Sequence, residues 1–268
     1  MGGVRFAKYH GLGNDFVVID AEAESALPVA SAPRLCDRRH GVGADGVLLI
    51  LPARSAGAAA RMKVINADGS VPETCGNGLR CAALHVARHR GLQAAELILE
   101  TDAGSKPCFV ERTADGEGVV TVDMGLIRVT DDVVLEVLGL PIPLVLADAG
   151  NPHAIYLGDM PRSEVERLGP IIATHPRFPR GTNVAFVNVQ GETSADAVVW
   201  ERGVGITLAC GSGACATAAV LTRKGLAPTN RDVAIRLLGG TLDVRIQSGG
   251  HAIMRGPASL VFTGELAE

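Results

Sequence analysis

Glu73-Thr74-Cys75-Gly76-Asn77-Gly78-Leu79-Arg80-Cys81-Ala82-Ala83 has a counterpart later in the chain, Leu208-Ala209-Cys210-Gly211-Ser212-Gly213-Ala214-Cys215-Ala216. Each stretch carries a cysteine, then Gly-polar-Gly, then small residues suited to a helix, with a second cysteine among them. The lead cysteines, 75 and 210, stand about half of the 268-residue chain apart. Other landmarks keep nearly the same offset: Gly13-Asn14 with Gly150-Asn151, Val64-Ile65 with Val199-Trp200, Gly91-Leu92 with Gly225-Leu226, and Gly104 with Gly240. Landmarks that recur in one order at one offset indicate an internal duplication. Each half reads strand-turn-strand, helix, strand, strand, long helix, hairpin. That order implies an α+β (mixed α/β) fold of two pseudo-symmetric domains, each a mostly antiparallel sheet wrapped around its long helix. We expect residues 1–124 to form the first domain, with 260–268 crossing back to it, and residues 125–259 to form the second.

Length agrees, since roughly 150 residues per domain suggests two. Apolar residues make up 47 % of the chain and the net charge is −4, so there is a core but no basic field for a nucleic acid or an anionic membrane. Aromatic residues are only 3 %, too few for stacking on bases or sugars to be a main binding mode. No apolar run approaches the ~18 residues of a membrane span; the densest, Leu138 to Leu146, is broken by Pro141 and Pro143. The start, Met1-Gly2-Gly3-Val4-Arg5-Phe6, lacks the apolar run of a signal peptide. Six cysteines without such a signal point to reduced thiols and a cytoplasmic setting. They form no Cys-x2-Cys pair, which argues against structural zinc.

Gly41-Val42-Gly43-Ala44-Asp45-Gly46 matches the dinucleotide fingerprint by letter. That fingerprint follows a strand and opens a helix. Here a helix expected over Ala32 to Arg39 precedes it and the strand Val47 to Leu51 follows, so we read a tight turn into a strand. His85 and His89 are four apart on the first long helix, but no acid lies between them in the H-E-x-x-H manner; we read them as ordinary helix-face residues. Cys81 and Cys215 point away from the lead cysteines at 3.6 residues per turn and are expected in the core.

The chemistry lies at the two helix starts. The first turn of a helix has backbone N–H groups with no internal partner, and with the helix dipole they favour anions. A cysteine placed there is expected to have a lowered pKa. A carboxylate can rest on the N–H groups of Gly76-Asn77 and Gly211-Ser212. Two facing halves would present a small carboxylate with a sulfur on each side of its α-carbon. One thiolate removes the α-proton and the other thiol returns one to the opposite face, so the apparatus would be a racemase or epimerase.

His10-Gly11-Leu12-Gly13-Asn14-Asp15-Phe16, Asn66-Ala67-Asp68-Gly69-Ser70, Cys75-Gly76-Asn77-Gly78, Gly150-Asn151-Pro152-His153, Glu201-Arg202-Gly203 and Ala209-Cys210-Gly211-Ser212-Gly213-Ala214-Cys215 together resemble the diaminopimelate epimerase family, nearly end to end. The resemblance implies a two-domain pseudo-symmetric fold and interconversion of LL- and meso-diaminopimelate, on the route to lysine and peptidoglycan. It implies two cysteines, no metal and no cofactor. Cys75 and Cys210 would be the acid/base pair, with His153 and the Glu201 side chain tuning them. Gly76, Asn77, Gly211 and Ser212 would hold the carboxylate at the reacting end. Asn14, Asn66, Asn151, Asn183 and Arg202 would hold the distal amino-acid end, helped by the Glu201 backbone. A bidentate guanidinium suits the distal carboxylate. The partner is then a small molecule, with neither nucleic acid nor membrane; a homodimer is compatible with the resemblance, although the residues hold no signature of one. Gly46 stands where some members carry Gln, and Ile206 where many carry a polar or acidic residue. Two other readings stay open on the residues: a proline-type racemase, which also uses a cysteine pair, and a thiol switch or amino-acid-binding protein.

Overall fold

The computed structural model describes residues 4–72, 75–113 and 116–266. Met1-Gly2-Gly3 of the chain start, Glu73 and Thr74 of the first cysteine motif, Asp115 of the hairpin turn that the sequence predicts at Asp115-Gly116, and Ala267 and Glu268 of the crossing segment lie outside them. The chain divides into two units, Met1–Val122 with Gly256–Glu268, and Asp123–Arg255.

The first unit contains β1 (Val4–Gly11), β2 (Asn14–Asp20), the short helix α1 (Ala32–Cys36), β3 (Gly46–Leu51), β4 (Ala60–Asn66), the long helix α2 (Gly76–His89), β5 (Ala94–Thr101), β6 (Gly104–Arg112) and most of β7 (Glu117–Leu126). The second contains β8 (Arg128–Val137), β9 (Leu140–Asp148), β10 (Pro152–Leu157), α3 (Arg162–Ala173), β11 (Asn183–Gly191), β12 (Ser194–Glu201), the two-residue β13 (Gly205–Ile206), the long helix α4 (Gly211–Arg223), β14 (Asp232–Leu237) and β15 (Gly240–Ile246). The last strand, β16 (His251–Leu266), begins in the second unit and ends in the first.

Strand pairing repeats from one unit to the other. Along β1-β2-β3-β4-β5-β6-β7 the neighbours run antiparallel, parallel, antiparallel, parallel, antiparallel, antiparallel. Along β9-β10-β11-β12-β14-β15-β16 the sequence of orientations is the same. Before β9 comes the antiparallel β8; before β1 comes the antiparallel end of β16, which pairs Val4 with Leu266 and His10 with Ser259. The fold is thus mixed α and β and duplicated.

Each long helix is enclosed by its own sheet. Residues Gly76 to Ala87 of α2 and Gly211 to Leu221 of α4 are all buried. α2 touches β1 through β6, and α4 touches β8 through β12 together with β14 and β15. A helix wrapped on most sides must be apolar and narrow all round, which the alanines, glycines and cysteines supply. Both helices end alike. Gly91 and Gly225 take φ of +67° and +71°, and the next N–H, from Leu92 or Leu226, closes back on Ala87 O or Leu221 O at 2.9 Å. This is the left-handed helix stop that glycine permits.

The central strand β3 is buried along its whole length, as expected for a strand covered on both faces. Its second face packs with α1, where Val17, Ile19, Val47, Leu49 and Ile65 meet Ala32 and Cys36. In the second unit α3 covers the equivalent face with Val165, Leu168 and Ile172 against Ala154, Val184 and Phe186. Gly169 has Trp200 ring atoms 2.8 Å from where its Cβ would be, so the indole lies directly on α3. α1 stops three residues before its expected end at Arg39. Asp37 turns extended and its carboxylate accepts from the backbone N–H groups of Arg39 (2.7 Å) and His40 (2.6 Å). No helix among the described residues is long and apolar enough to cross a membrane.

Candidate active site

Cys75 is the residue before α2, and Cys210 the residue before α4. Both have extended backbones, and each sulfur accepts from the N–H three residues on: Gly78 N at 3.3 Å and Gly213 N at 3.4 Å. Each thus takes the place of the Ser or Asp that usually caps a helix start. The second glycine of Gly-polar-Gly makes this fit. A Cβ at Gly78 would stand 3.0 Å from Cys75 Sγ, and one at Gly213 would stand 3.1 Å from Cys210 Sγ. Cys81 and Cys215 are fully buried, and burial pushes the Cys81 thiol up to about 12.

In the first unit Asn14, Gly76 and Asn77 come together. Asn77 Nδ2 donates to Asn14 Oδ1 at 2.9 Å, and Asn14 Nδ2 donates to Asp45 Oδ2 at 2.8 Å. The glycine-rich turn therefore presents Asp45 to Asn14. It leads from α1 into β3 and opens no helix, in accord with its reading as a turn. Asn66 lies at the end of β4, and its amide donates to Ser70 Oγ at 2.9 Å, closing the Asn66–Ser70 turn. A Cβ on Gly46 would approach Ile65 O to 2.8 Å, so the backbone leaves no room for a larger residue there.

Arg80 has a role that the sequence reading missed. It is fully buried. Its Nη2 donates to Asn77 Oδ1 at 2.9 Å, its Nε to Pro257 O at 3.2 Å and its Nη1 to Gly76 O at 3.4 Å. It holds the first turn of α2 in place and orients the Asn77 amide. The signal was its position: a charged residue within the apolar run of Leu79, Cys81, Ala82, Ala83 and Leu84.

In the second unit the residues form two linked groups. Cys210 Sγ lies 3.6 Å from Ser212 Oγ, Ser212 Oγ lies 3.1 Å from His153 Nε2, and His153 Nε2 lies 2.9 Å from Asn151 Oδ1. Asn151 Oδ1 can only accept, so His153 carries its proton on Nε2. Burial, and then the nearby Arg202 charge, push the imidazole down to about 3. His153 is a fixed neutral donor and reaches Cys210 through Ser212. In the second group Asn183 Oδ1 accepts from the Arg202 N–H at 2.9 Å, and Arg202 Nη1 donates to Arg180 O at 3.0 Å. Glu201 Oε1 accepts from Thr207 Oγ1 at 2.5 Å. Thr207 is a second residue that sequence reasoning passed over; it fixes the carboxylate. Ile206 lies in β13 opposite Trp200.

One expectation is reversed. A cysteine at a helix start was expected to have a lowered pKa, but Cys210 is held well above the ordinary thiol value. Burial is the main cause, followed by the charge of Glu201; contacts with Ser212 and the Gly213 N–H oppose them without prevailing. Cys210 therefore rests as a thiol.

The fold has counterparts among solved structures. A Bacillus anthracis phenazine biosynthesis protein of the PhzF family superposes with a TM-score of 0.74 at 18 % identity, covering 100 % of both chains. A hydroxyproline epimerase from Agrobacterium vitis gives 0.73 at 16 % identity, covering 98 % of this chain and 91 % of that one. These show the fold class, a mixed α and β fold that this chain shares with both. The sequence comparisons are narrower. The diaminopimelate epimerase family model matches residues 6–130 and 145–261. The diaminopimelate epimerase of Desulforudis audaxviator is 44 % identical over 282 residues, covering 98 % of this chain and 99 % of that protein. That of Carboxydothermus hydrogenoformans is 40 % identical over 280 residues with the same coverage. The chain belongs to the diaminopimelate epimerase family.

Proposed function

We propose that the protein interconverts LL- and meso-diaminopimelate, with Cys75 and Cys210 as the acid/base pair. The observation that carries this reading is the doubled cap: in each unit a cysteine sulfur sits on the N–H of the third helical residue, beside first-turn N–H groups suited to a carboxylate. Family membership supports the substrate.

Cys210 starts as the acid, because burial and Glu201 keep its proton on. Cys75 starts as the base. The Cys75 thiolate takes the α-proton while the Cys210 thiol gives its proton to the opposite face of the same carbon. One proton is gained and one lost, and the configuration inverts. The reverse reaction exchanges the two roles. The N–H groups of Gly76-Asn77 and Gly211-Ser212 hold the reacting carboxylate and stabilise charge as it builds toward an enediolate. Asn14, Asn66, Asn151, Asn183 and Arg202 hold the distal end, where the guanidinium suits a second carboxylate. A substrate with one carboxylate and no distal amino-acid group would leave these residues unused. We also propose a cytoplasmic setting, supported by the need of the pair for reduced thiols.

The test is turnover of LL-diaminopimelate to the meso form, compared with racemisation of proline, in reducing buffer. We expect conversion of the first and none of the second. Turnover of proline alone would reject the substrate assignment.

A further inference from the structure

His85 and His89 stand one turn apart at the end of α2, and Asp20 is the last residue of β2. His85 Nε2 lies 3.0 Å from Asp20 Oδ2, and His89 Nδ1 lies 3.5 Å from the same oxygen. The two imidazole centroids are 4.1 Å apart, and the three donor atoms all lie within 4.8 Å of one another. We propose that Asp20, His85 and His89 form a binding site for a divalent transition metal of the zinc class, separate from the proton-transfer residues.

Two of the three donor separations fit such an ion as they stand. Zinc bonds of about 2.0–2.1 Å in a tetrahedron put neighbouring donor atoms about 3.3 Å apart. The two separations at Asp20 Oδ2, 3.0 and 3.5 Å, bracket that length. A simple ion pair would account for Asp20 with His85. The i, i+4 spacing on α2 sets the two imidazoles side by side, and both turn a nitrogen toward the same Asp20 oxygen, which the Asp20–His85 contact alone does not require. Two nitrogens and one carboxylate oxygen select zinc, cobalt, nickel or copper over magnesium and calcium, which take oxygen. His85 is buried, while 52 % of the Asp20 side chain and 60 % of that of His89 remain exposed. The trio opens onto two surface hollows, one bordered by Leu51, Pro52 and Arg90 and the other by Arg5, Phe6 and Glu265. An ion there has solvent for its remaining ligand and a path of entry.

The site lies well away from Cys75. Along α2, at about 1.5 Å per residue, His85 lies roughly 15 Å and His89 roughly 21 Å beyond Cys75. His85 Nδ1 is buried without a hydrogen-bond partner. Ligand histidines usually donate their second N–H, and lack of that partner costs roughly 10- to 100-fold in affinity. Binding is therefore reversible, and the ion is a ligand of the folded unit rather than a requirement for folding. The sequence showed only half of this site, because Asp20 precedes His85 by 65 residues.

Untagged, chelator-treated protein is titrated with Co²⁺ by visible absorption and with Zn²⁺ by competition. The titration is repeated in a Cys75→Ser/Cys210→Ser variant, which removes binding by the lead thiols. We expect one saturable equivalent in both proteins. We expect affinity to fall at least tenfold in H89A and in D20N, both at exposed positions, and Zn²⁺ to raise the Tm of the wild type but not of H89A. Absence of saturable binding, wild-type affinity in H89A and D20N, or loss of the site with the cysteines would each overturn the proposal.

Discussion

His153 is a buried imidazole pushed down to about 3 from 6.5, and that shift has a sign. Above pH 6.5 the residue is neutral whether the chain is folded or not. As pH falls below 6.5, the unfolded chain takes up a proton that the folded chain refuses, so stability falls between pH 6.5 and about 3. We expect the wild type to lose stability from pH 6.5 to about 4.5 more steeply than H153Q, measured by urea unfolding at each pH. This window lies above that of Asp15, whose burial is outweighed by Arg38 and Lys8, which hold it at about 2. Parallel curves for the two proteins would show that His153 titrates normally. Arg80 gives a second test. Lys in its place offers one compact charge instead of a planar fork and cannot serve Asn77, Gly76 and Pro257 together. We expect R80K to lower the unfolding free energy by about 1.5–3 kcal/mol, the worth of a hydrogen bond to a charged group. We also expect KM for LL-diaminopimelate to rise, because the Asn77 amide is no longer oriented. A change in stability with KM unaltered would make Arg80 structural only.

At the level of the helix start, Gly78 and Gly213 are the sensitive points. Replacing glycine by alanine inside a helix ordinarily stabilises by up to about 1 kcal/mol. Here the new methyl would press on the sulfur that caps the helix. We expect G78A and G213A each to destabilise by about 1–3 kcal/mol, the usual cost of overpacking, and to lower kcat. Thermal unfolding and a turnover assay on the same samples check both effects. Stabilisation of either variant with full activity would mean that the cap is incidental. This element was also the most legible in the sequence. Cys-Gly-polar-Gly marked both helix starts, and Gly91-Leu92 and Gly225-Leu226 marked both ends, because caps and stops are local and written in a few residues. The short helix α1 was misjudged at its end, since the Asp37 carboxylate diverts the chain. Nothing in an apolar-residue pattern reports a side chain turning back onto backbone N–H groups.

Over the whole chain, the repeat carried the fold. A common offset between Asn14 and Asn151, and between Cys75 and Cys210, was enough to expect two like halves, and the matching order of parallel and antiparallel neighbours follows from it. What the sequence hid depends on residues far apart along the chain. Arg80 reaches Pro257 across 177 positions, and Asp45 reaches Asn14 across 31. The state of Cys210 was hidden because two effects compete: the helix start argued for a thiolate, while burial and Glu201 argued more strongly for a thiol. The central claim is that both sulfurs move protons at one carbon. It is tested most directly by incubating LL-diaminopimelate in D2O under reducing conditions and following the α-proton signal by NMR, with wild type, Cys75→Ser and Cys210→Ser. We expect the wild type to replace the α-proton by deuterium as the meso form appears, and each variant to lose roughly 10²- to 10⁴-fold in epimerisation, the usual contribution of a positioned acid or base. Wild-type epimerisation rates in either variant would contradict the two-cysteine mechanism.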